Sequence, residues 1–332
     1  MIDLAAEAAR LGAGGLGEYL ATVYHEVGFA VVTGHGVPTE ITDEAFAAAR
    51  RFFELPAEQK ETVDKRRSRH FRGWEATGVE RTNNRPDIRE QLDFWTEGIR
   101  PAARCRAPYL HLLGPNQWPS DDLAPGFAAA VQRWIYAAAE LADRVMGLLS
   151  LGLGLDEDHL RRAFEDECMS LCKVINYPPA SRPVRRERHH DAGFLCARRR
   201  RLPASGAELP PVSGSLSRTS RTGWSSTSAR RSRRRQLLHW RRRTRVATPT
   251  RPSIAYFHGP SLGMPLVALR SHVRDAVAAS PRHAAAGFMV QPDEVDAGAA
   301  DMSSPHHPDR YGEQLWNYFV RSYPDNVKAH YG

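Results

Sequence analysis

The chain contains no apolar run of the roughly 18 residues that a membrane-spanning helix needs. Its opening residues, MIDLAAEAARLG, lack the basic-then-apolar order of a secretory leader, so a soluble cytoplasmic protein is the expectation. Cysteine is scarce: Cys105, Cys168, Cys172 and Cys196 form no CxxC pair, and neither a zinc ribbon nor a disulfide framework is indicated. Lysine is missing from Cys196 to Thr250, where fifteen arginines face a single acid, Glu208. That local balance of +14, set against +8 for the whole chain, leaves the remainder at −6. Basicity therefore belongs to one segment. It gives no ground for a nucleic-acid partner, since a stacking platform of interleaved aromatics is also absent.

With 332 residues, 42% of them apolar, the chain can bury a sizeable core as one large domain or two small ones. Leu16, Leu20, Val23, Tyr24 and Val27 recur at helical spacing from Gly15 to Phe29. A β-branched run, Phe29 to Thr33, follows and stops at Gly34-His35-Gly36. Thr39 to Leu55 reads as a helix with Ile41, Phe46, Ala49, Phe52 and Phe53 on one face, closed by Pro56. Trp134 to Leu151 is the longest helical pattern, and Asp156 to Phe164 suggests another helix. Met169 to Tyr177 turns to strand character before Pro178-Pro179. Helices in front and strands behind predict an α+β chain.

Chemistry enters at His189-His190-Asp191. Residues two apart on a strand share a face, so His189 and Asp191 can offer an imidazole and a carboxylate to one metal. With a second histidine they make the facial triad that leaves Fe(II) open positions. Alone, HxD is a short pattern that chance also produces. Arg251 and Ser253 repeat the two-residue spacing in the β-favouring run Arg251 to His258, so a guanidinium and a hydroxyl can grip one carboxylate. Alone, that pair also reads as a surface salt bridge beside a buried strand. HxD followed after about sixty residues by RxS is the informative combination.

The stretches Val27-Gly28-Phe29, Gly34-His35-Gly36-Val37-Pro38, Phe71-Arg72-Gly73-Trp74, Gly114-Pro115-Asn116-Gln117-Trp118-Pro119 and Tyr177-Pro178-Pro179 carry a family resemblance. With His189 to Leu195 and Arg251-Pro252-Ser253, they resemble the isopenicillin N synthase-like Fe(II)/2-oxoglutarate-dependent oxygenases. Tyr311-Gly312-Glu313 and Arg321 to Asp325 look like the bacterial branch, near the ethylene-forming enzymes. The resemblance implies a distorted double-stranded β-helix, or jelly roll, with N-terminal helices packed against it. It divides the chain into an N-terminal dioxygenase region, 1–120, and an oxygenase jelly-roll region, 121–332. His189 and Asp191 match the first two iron ligands, and Arg251 and Ser253 the pair that holds the distal carboxylate of 2-oxoglutarate. Lys173 and Tyr177, with Asn176, lie on the strand that reaches the co-substrate in some members; a solvated lysine and a core tyrosine are their ordinary roles. No catalytic residue beyond the metal centre is implied. The implied partners are Fe(II), 2-oxoglutarate, O2 and a small-molecule substrate, with release of succinate and CO2.

The departure from the pattern is the segment 196–250, which shows no period-two alternation. Where the family carries its third ligand, Arg241 and Arg242 stand here, and a guanidinium cannot bind iron. His239, twelve positions before Arg251, is the nearest imidazole. A pair of compensating frame slips accounts for such an island. An inserted basic arm, or a shifted strand that brings His239 to the metal, are the other accounts. Residues 197–247 are expected to be largely irregular or poorly ordered, and iron to be held weakly unless His239 completes the site. Alternatives are an oxidase without 2-oxoglutarate, an ethylene-forming activity, or an inactive homologue with a nucleic-acid-binding arm.

Overall fold

The computed structural model describes residues 1–26, 29–82, 85–86, 88–99, 107–165, 168–178, 195–200, 222–225, 251–265 and 310–332. Two short strands, β1 (Ile2–Asp3) and β3 (Val32–Thr33), pair in parallel beside helix α1 (Leu4–Glu26), which kinks at Gly12, where φ is +69°. Strand β2 (Phe29–Ala30) precedes β3, so the run expected as a single strand divides its pairing between two sheets. Helix α2 spans Thr39–Phe53, and Ala57–Lys60 adds one turn. Then come β4 (Gly73–Glu75), the small hairpin of β5 (Arg81–Thr82) and β6 (Arg85–Pro86), and β7 (Glu90–Trp95). Helix α3 (Phe127–Gly152) leads to β8 (Leu171–Tyr177), β9 (Leu195–Arg200), β10 (Thr222–Ser225) and β11 (Arg251–His258). The helices α4 (Tyr311–Ser322) and α5 (Pro324–Tyr331) close the chain.

One antiparallel sheet runs in the order β2-β10-β9-β11-β8-β7-β4. Alternation along each strand gives it two different faces. Trp74, Leu92, Phe94, Cys172, Val174, Ile254 and Tyr256 point to one, where α1, α2 and α3 cover them in a single apolar core. Glu75, Gln91, Asp93, Lys173, Ile175 and Ser253 take the intervening positions and share the other face by register. A smaller apolar cluster, including Phe71, Trp95, Leu112, Leu315, Phe319 and Tyr323, seats α4 against the chain.

Two of the landmark motifs meet here. Arg72, with no solvent exposure, donates to Asn116 Oδ1 and to the Leu112 carbonyl, each at 2.9 Å. Asn116 in turn pairs with both backbone groups of Trp95, at 2.9 and 2.8 Å, behaving as an extra strand residue at the end of β7. Gly73, at φ +112°, lies so close to Val63 that a Cβ would sit 2.3 Å from its carbonyl oxygen. Asn116→Ala strands the buried backbone groups of Trp95 and should cost about 2 kcal/mol in urea unfolding; a loss under a few tenths would contradict the account.

Two expectations need correction. Residues 197–200 and 222–225, within the stretch expected to be largely irregular, form strands, and β9 lies inside the sheet between β10 and β11. Arginines at 198, 199 and 200 do not prevent this because backbone pairing supplies the ladder. The rest of 197–247 lies outside the described residues. Asp156 to Phe164, expected to be a helix, has only a 3-10 turn at Arg161–Phe164; the Ser150 hydroxyl accepts from Leu160 N at 3.1 Å and takes the place of a helical ladder bond. The C-terminal helices α4 and α5 had no counterpart in the reading of periodicity.

Candidate functional site

Antiparallel pairing of β8 with β11 places Arg251 opposite Tyr177, Ser253 opposite Ile175 and Ala255 opposite Lys173. Directly opposed residues share a face, so the positions of Lys173, Tyr177, Arg251 and Ser253 all belong to the sheet face away from the helical core. Ser253 is wholly buried there and Tyr177 half-buried. Asn176, one residue out of phase, belongs to the opposite face, where its amide donates to Glu90 Oε1 at 2.9 Å. His189, Asp191, His239 and the Arg251 side chain lie outside the described residues. Among the described residues no three His, Cys, Asp or Glu side chains come together as a metal site.

The polar face continues from Lys173 into a buried ion cluster that motif reading missed. Lys65 donates to Glu75 Oε2 at 2.5 Å, Asp93 Oδ2 at 2.7 Å and the Tyr323 hydroxyl at 3.1 Å. Glu80 accepts from Arg89 and, at 2.9 Å, from Gln91 Nε2. Lys173 lies 3.5 Å from both Glu80 and Asp93. Tyr318 donates to Glu80 Oε1 at 3.4 Å, and Tyr323 to Glu75 Oε2 at 3.2 Å. Three cations thus face three carboxylates, and the last long helix closes the cluster.

Burial by itself would discharge these groups, and their mutual attraction overrides it. For Lys65, burial pulls its pKa down but Asp93 and Glu75 hold it well above the usual lysine value. Lys173 behaves likewise, with burial outweighed by Asp93 and Glu80. For Glu80, burial pushes up and Lys173, Arg89 and Lys65 bring the carboxyl far below its ordinary value. Burial, helped by Glu80, pushes the Tyr318 phenol up to about 12. The face therefore presents Lys173 as an ammonium at neutral pH.

Residues 1–121 match the family model described as non-haem dioxygenase in morphine synthesis N-terminal. The match covers 121 of the chain's 332 residues, so the likeness is to the N-terminal part of such proteins. The 2-oxoglutarate-dependent dioxygenase frbJ of Dothideomycetidae sp. (strain 11243) is 31% identical over 153 residues, covering 46% of this chain and 40% of frbJ. The homoarginine-6-hydroxylase 2-ODD-C23 of Glycine max is 28% identical over 156 residues, 47% of this chain and 46% of its own length. The aligned stretch is thus less than half the length of either relative.

Among solved structures, a full-length Neurospora crassa protein in complex with alpha-KG superposes with a TM-score of 0.60 at 17% identity, over 96% of this chain and 95% of that one. JOX2 in complex with 2OG, Fe and JA gives 0.54 at 22% identity, over 80% and 76%. These likenesses show that the chain shares the fold of those two proteins. No helix among the described residues is long and apolar enough to cross a membrane.

Proposed function

We propose that the chain is an Fe(II)- and 2-oxoglutarate-dependent oxygenase that oxidises a small-molecule substrate with release of succinate and CO2. The observation that carries the reading is the β8–β11 register, which sets Arg251, Ser253, Tyr177 and Lys173 on one sheet face. Their chemistry suits a dicarboxylate: a guanidinium and a hydroxyl for one carboxylate, and an ammonium further along the same face. The two relatives are themselves named as a 2-oxoglutarate-dependent dioxygenase and a homoarginine-6-hydroxylase, which supports the same class. In this reading the sheet forms one half of a double-stranded β-helix, and the chain falls in the isopenicillin N synthase-like group.

His189 and Asp191 would hold the iron, with His239 as the candidate third ligand. Iron and 2-oxoglutarate, when bound, supply the oxidising chemistry. The chain supplies placement. Arg251 and the Ser253 hydroxyl would donate to the distal carboxylate of the co-substrate, from strands backed by the helical core. Lys173, held protonated by Asp93 and Glu80, adds positive charge to the face without a mobile counter-ion.

Arg251→Ala should weaken 2-oxoglutarate binding about tenfold or more, since it removes a charge-assisted pair. Calorimetry with Mn(II) in place of iron measures this apart from turnover. Unchanged affinity would exclude Arg251 from the co-substrate site. Iron content of the unmodified chain and of His239→Ala tests the third ligand: equal iron in both removes His239 from the set.

A further inference from the structure

Two lysines meet the same group of carboxylates, yet they are held differently. Lys65 is saturated by three partners between 2.5 and 3.1 Å, and its side chain is 3% exposed. The ammonium of Lys173 stands 3.5 Å from each carboxylate, and its side chain keeps 12% exposure. Charge-assisted N–H to carboxylate bonds close to about 2.7–2.9 Å when nothing restrains them. The restraint on this side is Glu80. Its Oε2 is taken by Arg89 and Gln91 Nε2, and its Oε1 is shared with the Tyr318 hydroxyl, so the carboxylate cannot swing onto Lys173. Asp93 is held through Oδ2 alone, by Lys65 at 2.7 Å, and its buried Oδ1 has no hydrogen-bond partner among the described residues.

We propose that Glu80 is a tethered counter-ion for Lys173: its carboxylate faces the ammonium at 3.5 Å, and Arg89 and Gln91 hold it too firmly for that long contact to close. Lys173 is thereby left to meet an anionic group on the face that carries Ser253, and Glu80 sets how strongly that face attracts a dicarboxylate. The ligand part of this inference rests on the co-substrate reading above. Glu80 is a positioning residue, since it acts through Lys173.

Glu80→Gln preserves the shape of the side chain while changing the cluster from balanced to one net positive charge. A dicarboxylate on the adjoining face should then bind about tenfold tighter, as expected for one charge removed several ångströms away at an intermediate dielectric. Lys173, having lost one carboxylate, should also react several-fold faster with an acylating reagent near pH 8, read by peptide mass spectrometry. Tyr318→Phe removes the weakest tie on Glu80 and no charge; Arg89 and Gln91 still hold Oε2, so 2-oxoglutarate affinity should stay within about twofold.

Tighter 2-oxoglutarate binding by Glu80→Gln, with faster Lys173 labelling, supports the proposal. Weaker or equal binding, as a purely structural role for Glu80 would give, overturns it. Unchanged labelling overturns it as well. If neither protein binds 2-oxoglutarate but labelling of Lys173 still accelerates, the co-substrate reading fails and the counter-ion assignment stands.

Discussion

Lys65→Met should lower the free energy of unfolding by about 3–5 kcal/mol at pH 7, the usual cost of breaking a buried ion pair from one side. Methionine fills the space of the lysine stem, so the loss reports charge rather than a cavity. Glu75 and Asp93, 4% and 2% exposed, then lose their shared cation, and the Tyr323 hydroxyl loses a donor. The pH dependence identifies the cause. The Lys65 pKa is raised on folding, so its contribution is complete below the unfolded lysine value of about 10.4 and is lost only as pH climbs through the folded value. The Glu80 pKa is depressed, so its contribution holds above the unfolded carboxyl value of about 4.3 and is lost as pH falls toward the folded one. In Lys65→Met the stranded carboxylates can take up protons, so the gap to the parent should shrink below about pH 4. Urea unfolding at pH 4 and pH 7 measures both; a gap under about 1 kcal/mol, or one that is constant with pH, would show the ion cluster to be energetically idle.

Gly17→Ala should destabilise the chain by about 3 kcal/mol, at the upper end of what overpacking costs. Helices α1 and α3 touch backbone to backbone at Gly17 and Gly152. A Cβ on Gly17 would lie 2.3 Å from the Leu148 carbonyl oxygen, and one on Gly152 would lie 2.2 Å from the Gly17 carbonyl oxygen. Neither glycine needs a left-handed conformation, so the requirement is space alone. No flexible side chain lies at the collision, and the helices must separate along a contact that also buries Leu16, Leu20 and Val145. Alanine's better helix propensity returns about 1 kcal/mol and does not close the difference. Thermal unfolding that is unchanged or raised would show that the helices can part at little cost.

The helical face of the fold was legible because its signal is periodic. Ile41, Phe46, Ala49, Phe52 and Phe53 mark α2, and the long apolar stripe of α3 begins only seven residues before the pattern detected from Trp134. Strand β8 was legible for the same reason, with Pro178 ending it. The two-residue logic applied to Arg251 and Ser253 was sound as geometry, since β11 spans both. What could not be read was β7. Its sequence, EQLDFW, alternates polar and apolar residues from Gln91 to Phe94 as a strand with one solvent-facing side does, yet Gln91 and Asp93 are buried. A buried charge leaves no mark on local hydropathy. Its partners, Lys65, Glu75, Lys173 and Tyr323, are scattered along the chain, and only the sheet order brings them together. One signal was available: Trp74, Leu92 and Phe94 predict an apolar face, which leaves Glu75 and Asp93 facing away from it among the aromatic residues of α4.

The closing of the ion cluster by Tyr318 and Tyr323 carries a consequence for the order of events during synthesis. Lys65 reaches the Tyr323 hydroxyl across 258 positions of sequence. Contacts so distant in the chain form late, because the entropy of closing the loop must be met before they repay it. While the ribosome is still making α4, the sheet can gather its helical face from residues already released, but Lys65, Glu75 and Glu80 remain open to water. The N-terminal half is thus a partly finished nascent domain with a hydrated, charge-lined flank, and that flank becomes dry only after the residues of the final helices have emerged from the exit tunnel.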